Sequence, residues 1–273
     1  MDYAIPQGIG ITEDRLRIIR HGCVLAGAVW ATIFLAAQVA QGWHGSSWDY
    51  WSTGLDVIYR DWHPGAESYA YSPAFAQAIW PLQQLPWPVF GAGWALLSLA
   101  ALAWLSVPVP TQWRTPFVAL CLFEVILGNI HLLMAVAIVL GMRYSASWAF
   151  VILTKVTPGV GLLWFAVRRE WRSLAIAIGC TAAIIAVSYV AAPALWWAWV
   201  DCLRATVDTR GSALIPQPPL WFRLPLAVAI IAWGARRNQR WTIAVAAVLG
   251  VPHFGLQSLT ILAAIPRLNE VQA

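Results

Sequence analysis

An all-α, polytopic transmembrane helical bundle is the fold class this sequence predicts, and three observations predict it. Of 273 residues, 60% are apolar and 11% charged, with a mean hydropathy of +0.65; an ordinary soluble domain carries about 25% charged residues. Several windows approach or exceed the ~20 apolar residues that span a bilayer core. Backbone polar groups in lipid must be satisfied within the chain, so these windows fold as helices.

Residues 1–20 are polar and precede a long apolar span, Cys23 to Ala40, with no small-residue cleavage site, so no cleavable leader is expected. Arg15, Arg17 and Arg20 flank that span, which predicts a cytoplasmic N-terminus and an external loop over 41–71. Further apolar blocks run about 72–86, 87–106, 116–142, 146–167, 173–191, 221–235, 241–251 and 254–266. The arginines at Arg143, Arg168–Arg172, Arg236–Arg240 and Arg267 mark cytoplasmic turns. With Arg143 and Arg168 both inside, the block between them must enter and return. Its pivot is Lys155–Thr157–Pro158–Gly159, where proline and glycine break the helix. The segment 192–220 is read as a second external loop, and Pro252–Phe254 as the tip of the last hairpin. The expectation is one integral membrane domain, 1–273, with eight to ten membrane segments, several short or re-entrant.

The net charge of +5 and pI near 9.3 come mostly from these arginine turns, which argues against nucleic acid as a partner. Cys23, Cys121, Cys180 and Cys202 show no metal or CxxC spacing, so neither a metal site nor a disulfide framework is expected.

Charge is scarce, yet four of the twelve acids fall between Asp49 and Glu67. On a helix over 48–62, Trp51, Leu55, Ile58 and Trp62 form one stripe and Asp49, Thr53, Asp56 and Arg60 the other face. That pattern predicts an interfacial helix on the outer leaflet, with tryptophans at headgroup level. Two plainer readings stay open: Ser46 and Asp49 as a capping box, and Asp56 with Arg60 as a surface ion pair worth ~0.3–0.5 kcal/mol. Lys155 is the single lysine of the chain, placed inside an apolar block, which marks either a functional site or a side chain snorkelling to the interface. Glu124 and His131 are read on one helical face within 116–142, with hydrogen bonding between helices as the simplest role for Glu124.

Several short motifs, in order, carry a family resemblance. They are Asp49 early in the first loop, Tyr59, Tyr71-Ser72-Pro73 opening a helix that ends Pro81-Leu82-Gln83-Gln84-Leu85-Pro86, and Gly128-Asn129-Ile130-His131. Lys155-Val156-Thr157-Pro158, the Arg168–Arg172 turn and Pro252-His253 complete the set. Over roughly 45–265 the chain resembles glycosyltransferase family 87, also called DUF2029. These are polytopic GT-C-type enzymes that include polyprenyl-phosphate-mannose-dependent mannosyltransferases. Asn129 stands where the family usually has glutamine, and the usual glycine before the loop tyrosine is absent.

The resemblance implies a GT-C-like fold in the cell membrane and an inverting, metal-independent hexosyltransferase without a cofactor. It would move a hexose, with mannose the sugar it points to, from a polyprenyl-phosphate donor to a lipid or glycan acceptor at the external face. Inversion needs one base for the acceptor proton, and Asp49 matches the family position. The departing phosphate needs cations or amide donors instead of a second carboxyl. Lys155 and Arg223 are the candidate cations, Arg223 having an interfacial anchor as its plainer role. His131, His253, Tyr71 and Asp56 are the further candidate substrate contacts. Two other classes stay open: a transporter, for which broken helices and an intramembrane lysine also speak, and a shortened, non-catalytic homologue acting as a partner subunit.

Overall fold

The computed structural model describes residues 12–41, 45–59, 70–207, 218–252 and 254–270. It is all-α, and no strand occurs among the described residues. The helices are α1 (Glu13–Gln41), α2 (Ser46–Ser52), α3 (Pro73–Gln83), α4 (Trp87–Ser106), α5 (Thr111–Leu127), α6 (His131–Gly141) and α7 (Trp148–Thr154). They continue as α8 (Leu163–Val167), α9 (Trp171–Ala191), α10 (Pro193–Val207), α11 (Leu220–Arg236), α12 (Trp241–Gly250) and α13 (Ile265–Glu270). Stretches of 3-10 helix run Ser145–Ser147, Thr157–Leu162 and Leu256–Ala264.

Among the described residues, three helices are long and apolar enough to cross a membrane, Glu13–Ala40, Trp87–Ser106 and Trp171–Ala191. They stand at the periphery. Leu25, Val29, Ile33 and Val39 of α1 are exposed, as are Ile178, Val187 and Val190 of α9. Such apolar faces would be a liability in water and are the natural surface toward lipid. The α1–α5 pair packs closely because position 27 is glycine; a β-carbon there would overlap the Ala119 carbonyl. Inside this shell lie α6, α12 and the Leu256–Ala264 stretch, short and buried nearly all round. A helix apolar on every side belongs in a core.

The remaining apolar blocks are broken. Block 116–142 is two helices bent by 117°, because Gly128 closes α5 in the left-handed region at φ 63. Glu124 and His131 therefore do not share a helical face. Lys155 is extended (φ −144, ψ 112) and ends α7, after which the chain doubles back until Gly161 abuts the Trp148 ring. The eleven residues of α3 rise only about 16 Å, half of the ~30 Å hydrocarbon core, so block 72–86 does not cross it as a straight helix.

Two expected loops look different in the structure. The helix expected over 48–62 ends at Ser52, and the chain turns through 55–59. Gln83 Nε2 takes the carbonyls of Tyr50 (2.6 Å) and Thr53 (3.1 Å), holding the C-terminus of α2 where a longer helix would need those carbonyls for itself. The expected stripe of Trp51, Leu55 and Ile58 is thus not a helical face, and Arg60 and Trp62 lie outside the described residues. Likewise, much of 192–220 is α10, pinned by Trp196 Nε1 to Ser188 Oγ and Trp199 Nε1 to the Ala70 carbonyl.

Several arginines fasten neighbouring helix ends. Arg20 lies over Trp113, Arg267 donates to the Trp104 carbonyl, and Arg168 donates to the Ala235 carbonyl. The first two contacts tie the N-terminus of α1 and α13 to the α4–α5 region, and the third ties the α8–α9 turn to the C-terminus of α11.

Gly128 is a sharp test of this architecture. A β-carbon there would lie 2.6 Å from Ser47 Cβ, at a positive φ. Gly128→Ala is expected to destabilise the fold by about 1–3 kcal/mol through overpacking, with a further ~1 kcal/mol from left-handed strain. Thermal unfolding in detergent measures this, and Ser47→Gly added to it should recover the packing part alone.

Candidate active site

The bend after Gly128 brings the start of α6 back over the last turn of α5. Glu124 Oε1 accepts the backbone N–H of His131 and its ring Nδ1–H, both at 3.0 Å. A carboxylate at a helix N-terminus is favoured by the exposed N–H groups and the helix dipole. The other ring nitrogen, Nε2, lies 2.8 Å from Lys155 Nζ. An ammonium can only donate, so Nε2 accepts and Nδ1 carries the proton. The two partners assign the tautomer. The result is a line of carboxylate, neutral imidazole and ammonium drawn from three segments. Glu124 is 0% exposed and His131 1%, with Lys155 half-buried at the break. The sequence pointed to Glu124 as a hydrogen-bonding residue; it does bond, but to the imidazole that holds the lysine.

A second group adjoins it. Tyr50 is fully buried on α2 and donates its hydroxyl to Asn129 Oδ1 at 3.3 Å. Its oxygen lies 2.7 Å from the Tyr71 hydroxyl oxygen, so the two phenols share a hydrogen bond. Asn129 Oδ1 also accepts the Ile130 N–H at 2.7 Å, next to the start of α6. Burial pushes the Tyr71 phenol well above its ordinary pKa, and the charges of Glu124 and Asp49 push the same way against the lowering bond from Tyr50. Tyr71 stays a neutral hydroxyl, with both carboxylates bearing on it.

Motif residues around α3 lock these parts together. Ser72 caps α3, accepting the Phe75 N–H, and donates its hydroxyl to the Leu153 carbonyl at 2.6 Å. That bond sets Tyr71 beside the end of α7, two residues before Lys155. The Tyr59 hydroxyl donates to the Tyr71 carbonyl. Trp51 Nε1 donates to the Leu85 carbonyl at 2.8 Å, and Gln83 holds the α2 carbonyls. The Pro81–Pro86 motif thus anchors the helix that carries Asp49.

Asp49 is half-buried in the first turn of α2. The helix cap is Gly45, with no side-chain cap bond, so Ser46 is already helical and the Ser46–Asp49 capping box is not formed. Asp56 is exposed in the turn after α2. Its expected helical pairing with Arg60 has no helix to rest on, and Arg60 lies outside the described residues. His253 lies outside them as well. Arg223 is buried and donates to four carbonyls: Pro218 (2.8 Å), Leu249 (3.0 Å), Val251 (2.8 Å) and Pro252 (3.0 Å). Its guanidinium is engaged with backbone and ties the start of α11 to the end of α12.

A cavity of about 320 Å³ opens between α1, α2, α4 and α5, lined by Gln38, Ser47, Trp87, Trp94 and Ile126 among others. It adjoins the cluster through Trp94, whose ring lies 5.1 Å from that of Tyr50. Among the described residues no three His, Cys, Asp or Glu side chains converge as a metal site. Sequence reasoning missed Tyr50 and Gln83, although both lie inside or beside motifs it had singled out.

In comparisons with known proteins, the model of glycosyltransferase family 87 matches residues 69–257. That stretch contains Tyr71, Glu124, His131, Lys155, Arg223 and His253, and begins after Asp49 and Asp56. No curated protein and no solved structure matches the chain.

Proposed function

Because the chain belongs to glycosyltransferase family 87, we propose that this membrane glycosyltransferase moves a hexose, mannose in the first instance, from a polyprenyl-phosphate donor to a lipid or glycan hydroxyl. The observation that carries this reading is a fixed cation at a helix break: Lys155 Nζ lies 2.8 Å from His131 Nε2, and the Ser72–Leu153 bond sets Tyr71 beside it. The acceptor oxygen attacks the anomeric carbon from the face opposite the phosphate. The bond from that carbon to the phosphate oxygen breaks, its electron pair leaves with the phosphate, and the configuration inverts. Asp49 takes the acceptor proton. Lys155 meets the charge growing on the departing phosphate, where a fixed cation in a dry site counts most.

Tyr71 borders the sugar position and His131 acts through Lys155, with Asp56 and His253 as further candidate contacts. Arg223 serves by holding the carbonyls of Leu249, Val251 and Pro252. The arginine-bearing turns face the cytoplasm, and transfer takes place at the external face of the cell membrane.

Membranes containing the protein, incubated with labelled polyprenyl-phosphate-mannose and total lipid acceptors, should form a labelled lipid or glycan product. No product with mannose, glucose or galactose donors would remove the reading. Lys155→Met is expected to lower kcat by roughly 10²-fold, with the protein still folded by gel filtration.

A further inference from the structure

We infer that Glu124 is the positioning residue of this site: it fixes His131 with Nε2 turned to the lysine and supplies the counter-charge that keeps Lys155 an ammonium. The catalytic consequence rests on the glycosyltransferase reading above, while the electrostatic claim stands on geometry alone. Glu124 does not touch Lys155. Its Oε1 holds the imidazole by two N–H groups, and the imidazole holds the ammonium. Glu124 Oε2 has no hydrogen-bond partner and is buried, so the carboxylate is oriented through His131.

The titratable groups around Lys155 come from several elements. His131 of α6 touches it, with Glu124 of α5 behind; Tyr71, before α3, is set beside the end of α7 and shares a hydrogen bond with Tyr50 of α2. Cys121 and Asp49 lie further out, beside Glu124 and Tyr71. Tyr71 is neutral, and among the described residues no carboxylate is paired directly with the lysine. A buried ammonium without a nearby negative charge tends to give up its proton. Glu124 is the charge placed to prevent that, at one imidazole's remove. Such spacing also leaves the ammonium open. Among the described residues it donates to His131 alone, so two of its three N–H groups remain for a phosphate.

Because Lys155 is the single lysine in the chain, an amine reagent reports on it almost alone. The full-length protein in detergent would be treated with formaldehyde and cyanoborohydride, with methylation at residue 155 followed by mass spectrometry. Glu124→Gln keeps an oxygen for both His131 N–H groups and removes only the charge. It is expected to raise the methylation rate about tenfold at the same pH, since only the neutral amine reacts. Glu124→Ala, which removes the charge without leaving an amide, should raise it similarly and carries the test if Glu124→Gln fails to fold. Rates within twofold of wild type in the folded variants would overturn the inference.

An activity arm asks a different question. Glu124→Gln should raise the donor KM about tenfold and leave the acceptor KM unchanged. The labelling needs no substrate. Faster labelling with no wild-type transfer would sink the glycosyltransferase reading and keep the electrostatic one; unchanged labelling in an active enzyme would do the reverse.

Discussion

With asparagine at position 49, sugar transfer is expected to fall by about 10²–10⁴-fold, the usual contribution of a positioned general base, while the protein stays folded. Asparagine matches aspartate in size and can still hydrogen-bond, but it cannot take up the acceptor proton. Asp49 sits half-buried on a short helix held by Gln83 and Trp51, next to the fully buried Tyr50. The cap of that helix is Gly45. Were Asp49 a capping residue, the change would instead cost ~1 kcal/mol of stability and leave turnover intact. Measuring kcat at saturating donor and acceptor beside the melting temperature separates the two. Activity within threefold of wild type would remove Asp49 as the base.

Glu124→Leu is expected to cost about 3–5 kcal/mol of stability, since it leaves two buried N–H groups unsatisfied at ~1–3 kcal/mol each and removes the charge nearest Lys155. Its loss leaves two N–H groups of His131 without an acceptor and Lys155 without a counter-charge. The damage falls at the 117° bend between α5 and α6, the joint on which the buried core helix α6 turns. Replacing the whole line, as Glu124→Leu with His131→Leu and Lys155→Met, should recover much of the loss, because apolar groups of similar volume tolerate burial better than a broken pair. Thermal unfolding of the single and triple variants in one detergent measures this. A triple variant no more stable than the single would show that the bend itself, and not the charge, requires Glu124.

Much of the fold was legible because the signals were local. The run of α1, the run of α9 and the break at Lys155–Gly159 each follow from a short window: apolar length, or proline beside glycine. Arg168 and Arg236 marked helix ends that the structure places together, Arg168 reaching the Ala235 carbonyl. The helix expected over 48–62 failed for a reason no window contains. Its periodicity was sound, but Gln83, some thirty residues away, takes the carbonyls that a longer helix would have used. Gly128 carried a turn signal too, yet the apolar block ran on past it, and hydropathy alone does not register a bend.

The sequence by itself determined the environment and its punctuation: an all-helical membrane protein, arginines at helix ends, breaks at glycine and proline, and a single lysine at one of those breaks. Those properties depend on the transfer of side chains from water to lipid and on allowed backbone angles, both of which are local. Only the tertiary structure decided which polar groups meet. His131 finds Glu124 seven residues back and Lys155 twenty-four residues on, and Tyr50 reaches Asn129 across seventy-nine. Within a core that offers little other partnership, a hydrogen bond goes to whatever group the bends bring within reach, and the bends are set by packing over the whole bundle.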